Sequence, residues 1–161
     1  MEFVITIDDA GVQRGLERFP GKVLTAVEAA LARGAMEMAR TARERAPKAF
    51  TTLTNSIKAD KIEPLHYVVA PHVMYAPFVE RGRKPGRQPG TANGLGEWIR
   101  QKTGLQGKEL DRRTFVIARA IGRRGIKAQP FMHPAFEAHR DRIVSRVRAA
   151  ALAAAQEAFR G

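Results

Sequence analysis

Hydrophobic positions recur at helical spacing along most of the chain, so helices dominate the predicted structure. An apolar stripe begins after Pro20, a good first helical residue, and continues until Pro47 disfavours helix at Ala46. The residues of the stripe are Val23, Leu24, Val27, Leu31, Ala35, Met38 and Ala42. The pattern predicts one long helix over 20–46. Because glycine is unfavourable inside a helix, Gly34 predicts a close packing neighbour or a bend.

A second long helix is predicted near the end of the chain, from Pro134 to about Phe159. Its apolar face is formed by Phe136, Ile143, Val147, Ala150, Ala154 and Ala158, whereas Arg142, Arg146 and Arg148 lie away from that face. Seven alanines between Ala149 and Ala158 leave little side-chain bulk. We therefore expect this end to approach another backbone closely, either within the chain or in a neighbouring subunit.

The region between the two helices changes to an extended pattern. Residues 56–62 alternate polar and apolar side chains, Glu63-Pro64 predicts a turn, and 66–70 is β-rich, which together predict an antiparallel pair. A third extended piece, 73–79, would complete a small sheet, at an edge or strand end because of Pro77. At the N-terminus, 3–7 predicts a short strand, followed by a helix that Asp8-Asp9 cap.

The segment 81–127 combines a loop with two short helices. Residues 81–93 contain three glycines and two prolines, so we expect an irregular, mobile loop. Amphipathic patterns then predict helices over 94–102 and about 110–121, the second ending at Gly122. The sequence thus predicts an α+β fold, a single domain over 1–161. In it, a small antiparallel sheet packs against the long helix of the N-terminal half and the C-terminal helix, with 81–127 as a basic loop-and-helix insertion.

Most of the net positive charge lies in that insertion. It holds 13 lysines and arginines against 3 acids, whereas the remaining residues hold 15 against 13. A basic segment on a balanced scaffold indicates a polyanionic partner, although a merely solvated, soluble surface remains the alternative. The candidate contacts to nucleic acid or to an acidic partner are Arg81, Arg83, Lys84, Arg87, Arg112, Arg113, Arg123, Arg124 and Lys127. Without an aromatic stacking series or a recognition helix, such cations suit phosphate contacts better than base readout.

The sequence offers no catalytic or cofactor-binding pattern. The absence of cysteine removes disulfides, thiolate nucleophiles and cysteine-ligated zinc, and no glycine pattern forms a phosphate-binding loop. The histidines form two pairs spaced six apart, 66/72 and 133/139, so we interpret them as surface or interface residues rather than metal ligands. Neither a signal peptide nor a membrane-spanning run of about 20 apolar residues is visible. We expect no enzymatic activity, metal, cofactor or membrane association.

Four motifs in a fixed order resemble the gene-product-ten-like family of long-tailed bacteriophages. They are Ala46-Pro47 with Leu53 and Ser56-Ile57-Lys58, then 75–82 (YAPFVERG), then 125–131 (GIKAQPF), and finally Pro134-Ala135. Proteins of this family are neck, head–tail joining or tail-completion proteins and are structural. The family usually has threonine where this chain has Arg83. We interpret the motif residues as core and turn determinants: Pro47, Leu53, Ser56, Tyr75, Pro77, Glu80, Gly82, Pro130, Phe131 and Pro134.

The resemblance implies a structural role in phage assembly. It implies a homo-oligomeric ring in the neck, contacts with other neck and tail proteins, and a virion location after assembly in the host cytoplasm. Within such a ring the basic segment would face either DNA in the lumen or an acidic surface of the next ring. A stand-alone, non-sequence-specific nucleic-acid-binding protein is the alternative prediction.

Overall fold

A computed structural model of the protein describes residues 20–48, 51–86 and 94–160. The predicted strand 3–7 and the helix after it lie outside the described residues. The described elements are α1 (Pro20–Arg45), α2 (Thr51–Ser56), β1 (Ile57–Glu63), β2 (His66–Pro71), α3 (Ala76–Arg81), α4 (Leu95–Thr103), α5 (Gly107–Arg124) and α6 (Met132–Arg160). The chain is therefore α+β, as predicted. It divides into two compact units, 1–71 with 131–161, and 72–130.

The core of the first unit lies between α1 and α6. Val23, Val27, Ala30 and Leu31 of α1 form one buried cluster with Ile143, Val147, Ala151 and Ala154 of α6. All but one of the predicted stripe residues on α1 are buried, since only Leu24 retains intermediate exposure. The predicted stripe and the long α1 helix are thus confirmed, because the apolar face lies against another apolar face.

Gly34 of α1 lies directly against a side chain of α6. A Cβ atom built on Gly34 would lie 2.6 Å from Cγ1 of Ile143, closer than real Cβ contacts allow. The predicted close neighbour of Gly34 is therefore confirmed, and it is the side chain of Ile143. Farther along α6, Ala151 and Ala154 are buried in the same cluster, so this part of the alanine-rich end packs within the chain.

The hairpin packs along α1. Strands β1 and β2 pair antiparallel from Ile57↔Pro71 to Glu63↔His66, with an irregularity between Lys61 and Glu63. The turn contains Leu65, which has a φ of 62° and packs against the α1–α6 core, so its burial offsets an unusual backbone conformation. The antiparallel pair and its turn are confirmed.

Polar contacts fix the hairpin on α1 at both of its ends. Arg43 on α1 donates from Nε and Nη2 to the carbonyl oxygen of Ile57, at 2.9 and 2.6 Å. Near the turn, the Lys61 ammonium forms an ion pair with the Glu28 carboxylate of α1. The direction of the hairpin along α1 is therefore set by side chains as well as by apolar burial.

The prediction of a third strand is wrong. The third extended piece over 73–79 is instead turn and the helix α3, because Pro77 occupies the first helical turn, where a missing N–H costs nothing. The sheet accordingly has two strands in the described part of the chain. Residues 51–56, which follow the pattern change at Pro47, form the short helix α2, in which Leu53 is completely buried. Packing of Leu53 outweighs the low helix propensity of the surrounding threonines.

The second unit contains α3, α4 and α5. Helices α4 and α5 pack against each other, with Ile99, Thr114 and Ala118 buried. The sequence predicted that helix α5 ends at Gly122, and this is wrong. The helix continues through Gly122 to Arg124 and is followed by Gly125. Helix α6 starts at Met132, two residues before the predicted Pro134.

Candidate functional site

The two ends of the basic segment are hydrogen-bonded to each other in the second unit. Arg83 and Ile126 exchange both of their backbone N–H···O bonds, each at 2.8 Å. On either side, the Gly86 N–H donates to the Gly122 carbonyl and the Gln129 N–H donates to the Val79 carbonyl, also at 2.8 Å. We call residues 79–86 with 122–129 the two-glycine crossing, after the glycines described next.

Gly82 and Gly125 allow the crossing because neither position tolerates a side chain. Both lie in the left-handed range, with φ of 70° and 75°. A Cβ at Gly82 would lie 2.6 Å from the Ile126 carbonyl oxygen, and one at Gly125 would collide with the Arg83 carbonyl oxygen. Because backbone atoms form these contacts, the neighbours cannot rotate away, as a side chain could. The second and third sequence motifs thus meet in space.

The crossing brings together cations that are far apart in the sequence. Arg83 and Lys84 lie on one passage of backbone, and Arg124 and Lys127 lie on the passage hydrogen-bonded to it. Of the predicted contact residues, Arg83 has intermediate exposure and Arg87 lies outside the described residues. The remaining ones are exposed: Arg81, Lys84, Arg112, Arg113, Arg123, Arg124 and Lys127. The structure therefore places the described predicted cations within one compact unit.

Helix α5 carries four of the seven exposed cations that the sequence predicts as contacts, Arg112, Arg113, Arg123 and Arg124. Its buried side, Thr114 and Ala118, faces α4, and Thr114 also donates from Oγ1 to the Leu110 carbonyl at 2.8 Å. Two large apolar side chains lie on the exposed surface of the same helix, Phe115 with 56% and Val116 with 62% of their surface accessible. The exposed surface of α5 is therefore both cationic and apolar.

The other motif residues are distributed over both units. In the first unit, Leu53 and Phe131 are completely buried, and Ser56 donates from Oγ to the Leu53 carbonyl at 2.8 Å. Pro47 and Pro134 also belong to this unit and are partly buried. Each of these positions lies in a helix or next to the end of one.

In the second unit, most of the motif residues lie in α3 or next to it. Tyr75 precedes the helix, and burial raises the pKa of its phenol. Pro77 lies in the first turn of α3 and Glu80 is 4% exposed near its end. Pro130 is exposed at the end of the unit.

A polar network joins α1 to α6 beside the apolar core of the first unit. Glu37 of α1 accepts from Arg146 at 2.9 Å and from Arg142 at 3.3 Å. The hydrogen bond from Arg146 is the main reason that the pKa of Glu37 is lowered, and the charge of Arg142 adds to it. The same guanidinium of Arg142 also lies 2.8 Å from Nδ1 of His139.

His139 contradicts the prediction that the histidines lie at a surface or an interface. It is 5% exposed within the first unit, and its Nε2 lies 2.8 Å from Oγ1 of Thr41. Because Arg142 can only donate, Nδ1 accepts and Nε2 carries the proton that points to Thr41. Burial, aided by the charge of Arg142, lowers the pKa of His139. The helical pattern of α6 places position 139 on the side toward α1, a signal that the six-residue spacing of the histidines obscured.

Within 20–48, 51–86 and 94–160, no group of three or more histidine, cysteine, aspartate or glutamate side chains is arranged to hold a metal ion. Across the same part of the chain, no helix is long and apolar enough to cross a membrane.

A known protein family matches part of the chain. Residues 10–82, a little under half of the chain, match the family model HK97-gp10_like, described as "Bacteriophage HK97-gp10, putative tail-component". This range includes the first two sequence motifs and ends at Gly82 of the crossing, whereas the motifs at 125–131 and 134–135 lie beyond it. No curated protein and no solved structure matched the chain. Residues 10–82 are therefore similar to the HK97-gp10-like family of bacteriophage tail components.

Proposed function

We propose that the protein is a structural morphogenesis protein of the neck of a long-tailed phage. In this proposal it acts in head–tail joining or tail completion, and several copies form a ring through which DNA passes. The observation that carries the proposal is the family match over 10–82 to a phage tail component. A role without catalysis agrees with that description. The chain would assemble in the host cytoplasm and remain in the virion.

A first unit built around an apolar core and a second unit with exposed cations suit this role. A ring of identical subunits needs two complementary patches on each copy, because each copy contacts its neighbours through different surfaces. Since Ala151 and Ala154 pack within the chain, the face of α6 left for a subunit contact carries Ala149, Leu152 and Ala153, which are exposed. Neighbouring neck and tail proteins would complete the assembly.

Deleting the gene from the parent phage or prophage tests the proposal. We expect electron microscopy to show finished heads and finished tails that fail to join, and complementation from a plasmid to restore infectious particles. Normal infectious particles from the deletion strain would refute the proposal. A ring that forms only on a partner would appear as a monomer in light scattering, so the deletion phenotype is the more decisive measurement.

The exposed cations favour a second candidate, a stand-alone nucleic-acid-binding protein without sequence specificity. That function predicts binding of duplex DNA by the isolated subunit, with an affinity that falls steeply on a log–log plot against salt, by a slope of about −0.9 per phosphate contacted. It also predicts a deletion phage with normal particles. DNA binding that is weak and insensitive to salt would exclude this candidate, and with it a lumenal DNA contact.

A further inference from the structure

We propose that one face of α5 docks on a different virion protein, in a groove with an apolar centre and an acidic rim. The inference rests on the proposed function, because it takes the occupant from the neighbours of the protein in the phage particle. It names a protein as the polyanionic neighbour of the basic segment, rather than DNA.

The face is defined by four cations in one line along α5. At 100° per residue, Lys108, Arg112, Arg119 and Arg123 fall within an arc of about 60°. With a rise of about 1.5 Å per residue, the line is about 22 Å long. All four side chains are exposed. We call these four residues, with Phe115 and Val116, the α5 docking face.

Phe115 and Val116 lie at the middle of the line and on either side of it. On the helical wheel Phe115 precedes the cations by about 20° and Val116 follows them by about 20°. The fractions of their surface that remain exposed are 56% and 62%. Within α5, all of which is described, Glu109 and Asp111 fall outside this arc. The face therefore has an apolar centre with positive charge toward both ends.

This arrangement fits a protein partner better than a DNA backbone. Protein interfaces typically place apolar and aromatic side chains at a desolvated centre, surround them with a polar rim, and are enriched in arginine. Phosphate contacts are made by cations and polar hydrogen-bond donors, and exposed apolar groups at the centre of the line would gain little from a phosphate backbone. Three of the four cations are arginines, which bind carboxylates in a bidentate geometry.

A second copy of the chain is a poor occupant. The chain has 28 lysines and arginines against 16 acids, so another copy offers little acidic surface to the α5 docking face. Among the described residues, several exposed acids already pair with an arginine on their own helix, as Glu44 does with Arg40 and Glu97 with Arg100. The charge of the docking face is thus complementary to an acidic chain of a different kind.

The same helix provides a matched control. Arg113 and Arg124 are exposed and belong to the contact residues predicted from the sequence, but they fall about 80° and 100° beyond the edge of the cation line on the helical wheel, so the proposal leaves them out of the docking face. Reversing them changes the net charge of the protein by the same amount as reversing Arg112 and Arg119. A general electrostatic effect would therefore reduce joining in both charge-reversed variants. A docking contact would reduce joining only when Arg112 and Arg119 are reversed.

In vitro joining tests the inference. Lysates of a phage with the gene deleted are supplemented with purified protein, and infectious particles are counted. The variants are Phe115→Ser with Val116→Ser, Arg112→Glu with Arg119→Glu, and the control Arg113→Glu with Arg124→Glu. Circular dichroism verifies that each variant folds, which is expected because every changed side chain is exposed. Binding of each variant to a 30-base-pair duplex is measured in parallel.

We expect both docking-face variants to reduce joining about tenfold or more and the control to retain it. We also expect Phe115→Ser with Val116→Ser to leave duplex binding unchanged. The inference is overturned if the serine variant joins as well as wild type, or if joining falls in proportion to duplex binding in all charge variants, which would assign the face to DNA. A wild-type protein that fails to restore joining contradicts the proposed function itself, so the two failures are distinguishable.

Discussion

The two units of this protein use charge in opposite ways. In the first unit, arginines on α6 bond to Glu37 on α1, and the packing of two apolar helix faces determines the structure. In the second unit, cations lie exposed along α5, and backbone hydrogen bonds at the two-glycine crossing hold the ends of the segment together. From this difference we propose that the first unit is a scaffold and that the second presents a binding surface.

Truncating the core of the scaffold is expected to have the largest effect. Ile143→Ala removes a side chain that is 1% exposed between α1 and α6, and should lower the free energy of unfolding by about 2–5 kcal/mol. Urea denaturation measures this loss. Val116→Ala, on the exposed surface of α5, serves as the control and should change stability by about 0.5 kcal/mol or less. Equal effects of the two changes would contradict the division into scaffold and surface.

Adding a Cβ at the crossing should have the next largest effect. Gly125→Ala forces a side chain into a φ of 75° and against the Arg83 carbonyl, so we expect a loss of about 1–3 kcal/mol or more. Gly104→Ala is the matched control, because Gly104 has a φ of 71° but no atom near its Cβ position. The excess cost at Gly125 measures the backbone collision.

Hydrogen exchange locates that cost. Exchange of the Arg83 and Ile126 amide protons should accelerate in Gly125→Ala and remain unchanged in Gly104→Ala, because only the former disrupts their mutual hydrogen bonds. Equal stability and equal hydrogen-exchange protection in the two variants would contradict the role of the crossing in holding the ends of the basic segment together.

His139 should make the scaffold sensitive to mild acid. Its pKa is lowered from 6.5 in the folded protein, mainly by burial, so the unfolded chain takes up the proton first. Its contribution to stability is therefore complete above pH 6.5 and is lost as the pH falls through the lowered folded pKa. In His139→Gln, we expect a cost of about 1 kcal/mol at neutral pH and a flatter stability profile below it. Urea melts across the pH range measure this, and parallel profiles for wild type and variant would contradict the expectation.

Glu37 should give the smallest effect, in a more acidic range. The pKa of Glu37 is lowered from 4.5 by Arg146, so this ion pair stabilises the fold above that pH and is lost as the pH falls through the lowered folded pKa. Since 40% of the Glu37 side chain is exposed, solvent screens the pair and Glu37→Gln should cost only about 0.2–1 kcal/mol. Added salt should shrink the difference between the variant and wild type. A difference that salt does not change would argue against an ion pair.

Periodicity predicted the scaffold because its elements are long and have one buried face. The stripe on α1 and the face of α6 were both visible, as was the hairpin with its turn. Local patterns failed where packing decides: α2 depends on the burial of Leu53, and α3 accepts Pro77 in its first turn.

The candidate site was predictable in its composition but not in its geometry. The charge count identified the segment. However, nothing in the local sequence indicates that Arg83 pairs with Ile126, or that Gly82 and Gly125 lie beside this pair. Likewise, the hydrogen bond between His139 and Thr41 forms only because α1 and α6 pack against each other. Such pairings are non-local, so a single sequence contains the residues without the contact between them.

Photo-crosslinking from position 115 in infectious particles tests directly whether the α5 docking face contacts another virion protein. Phe115 is replaced by p-benzoylphenylalanine in the parent phage, with Arg113 replaced likewise as the control, and purified virions are irradiated. We expect a crosslink from position 115 to an acidic virion protein other than this chain, with little from position 113. Crosslinking of position 115 to DNA or to a second copy, or equal crosslinking from both positions, would contradict it.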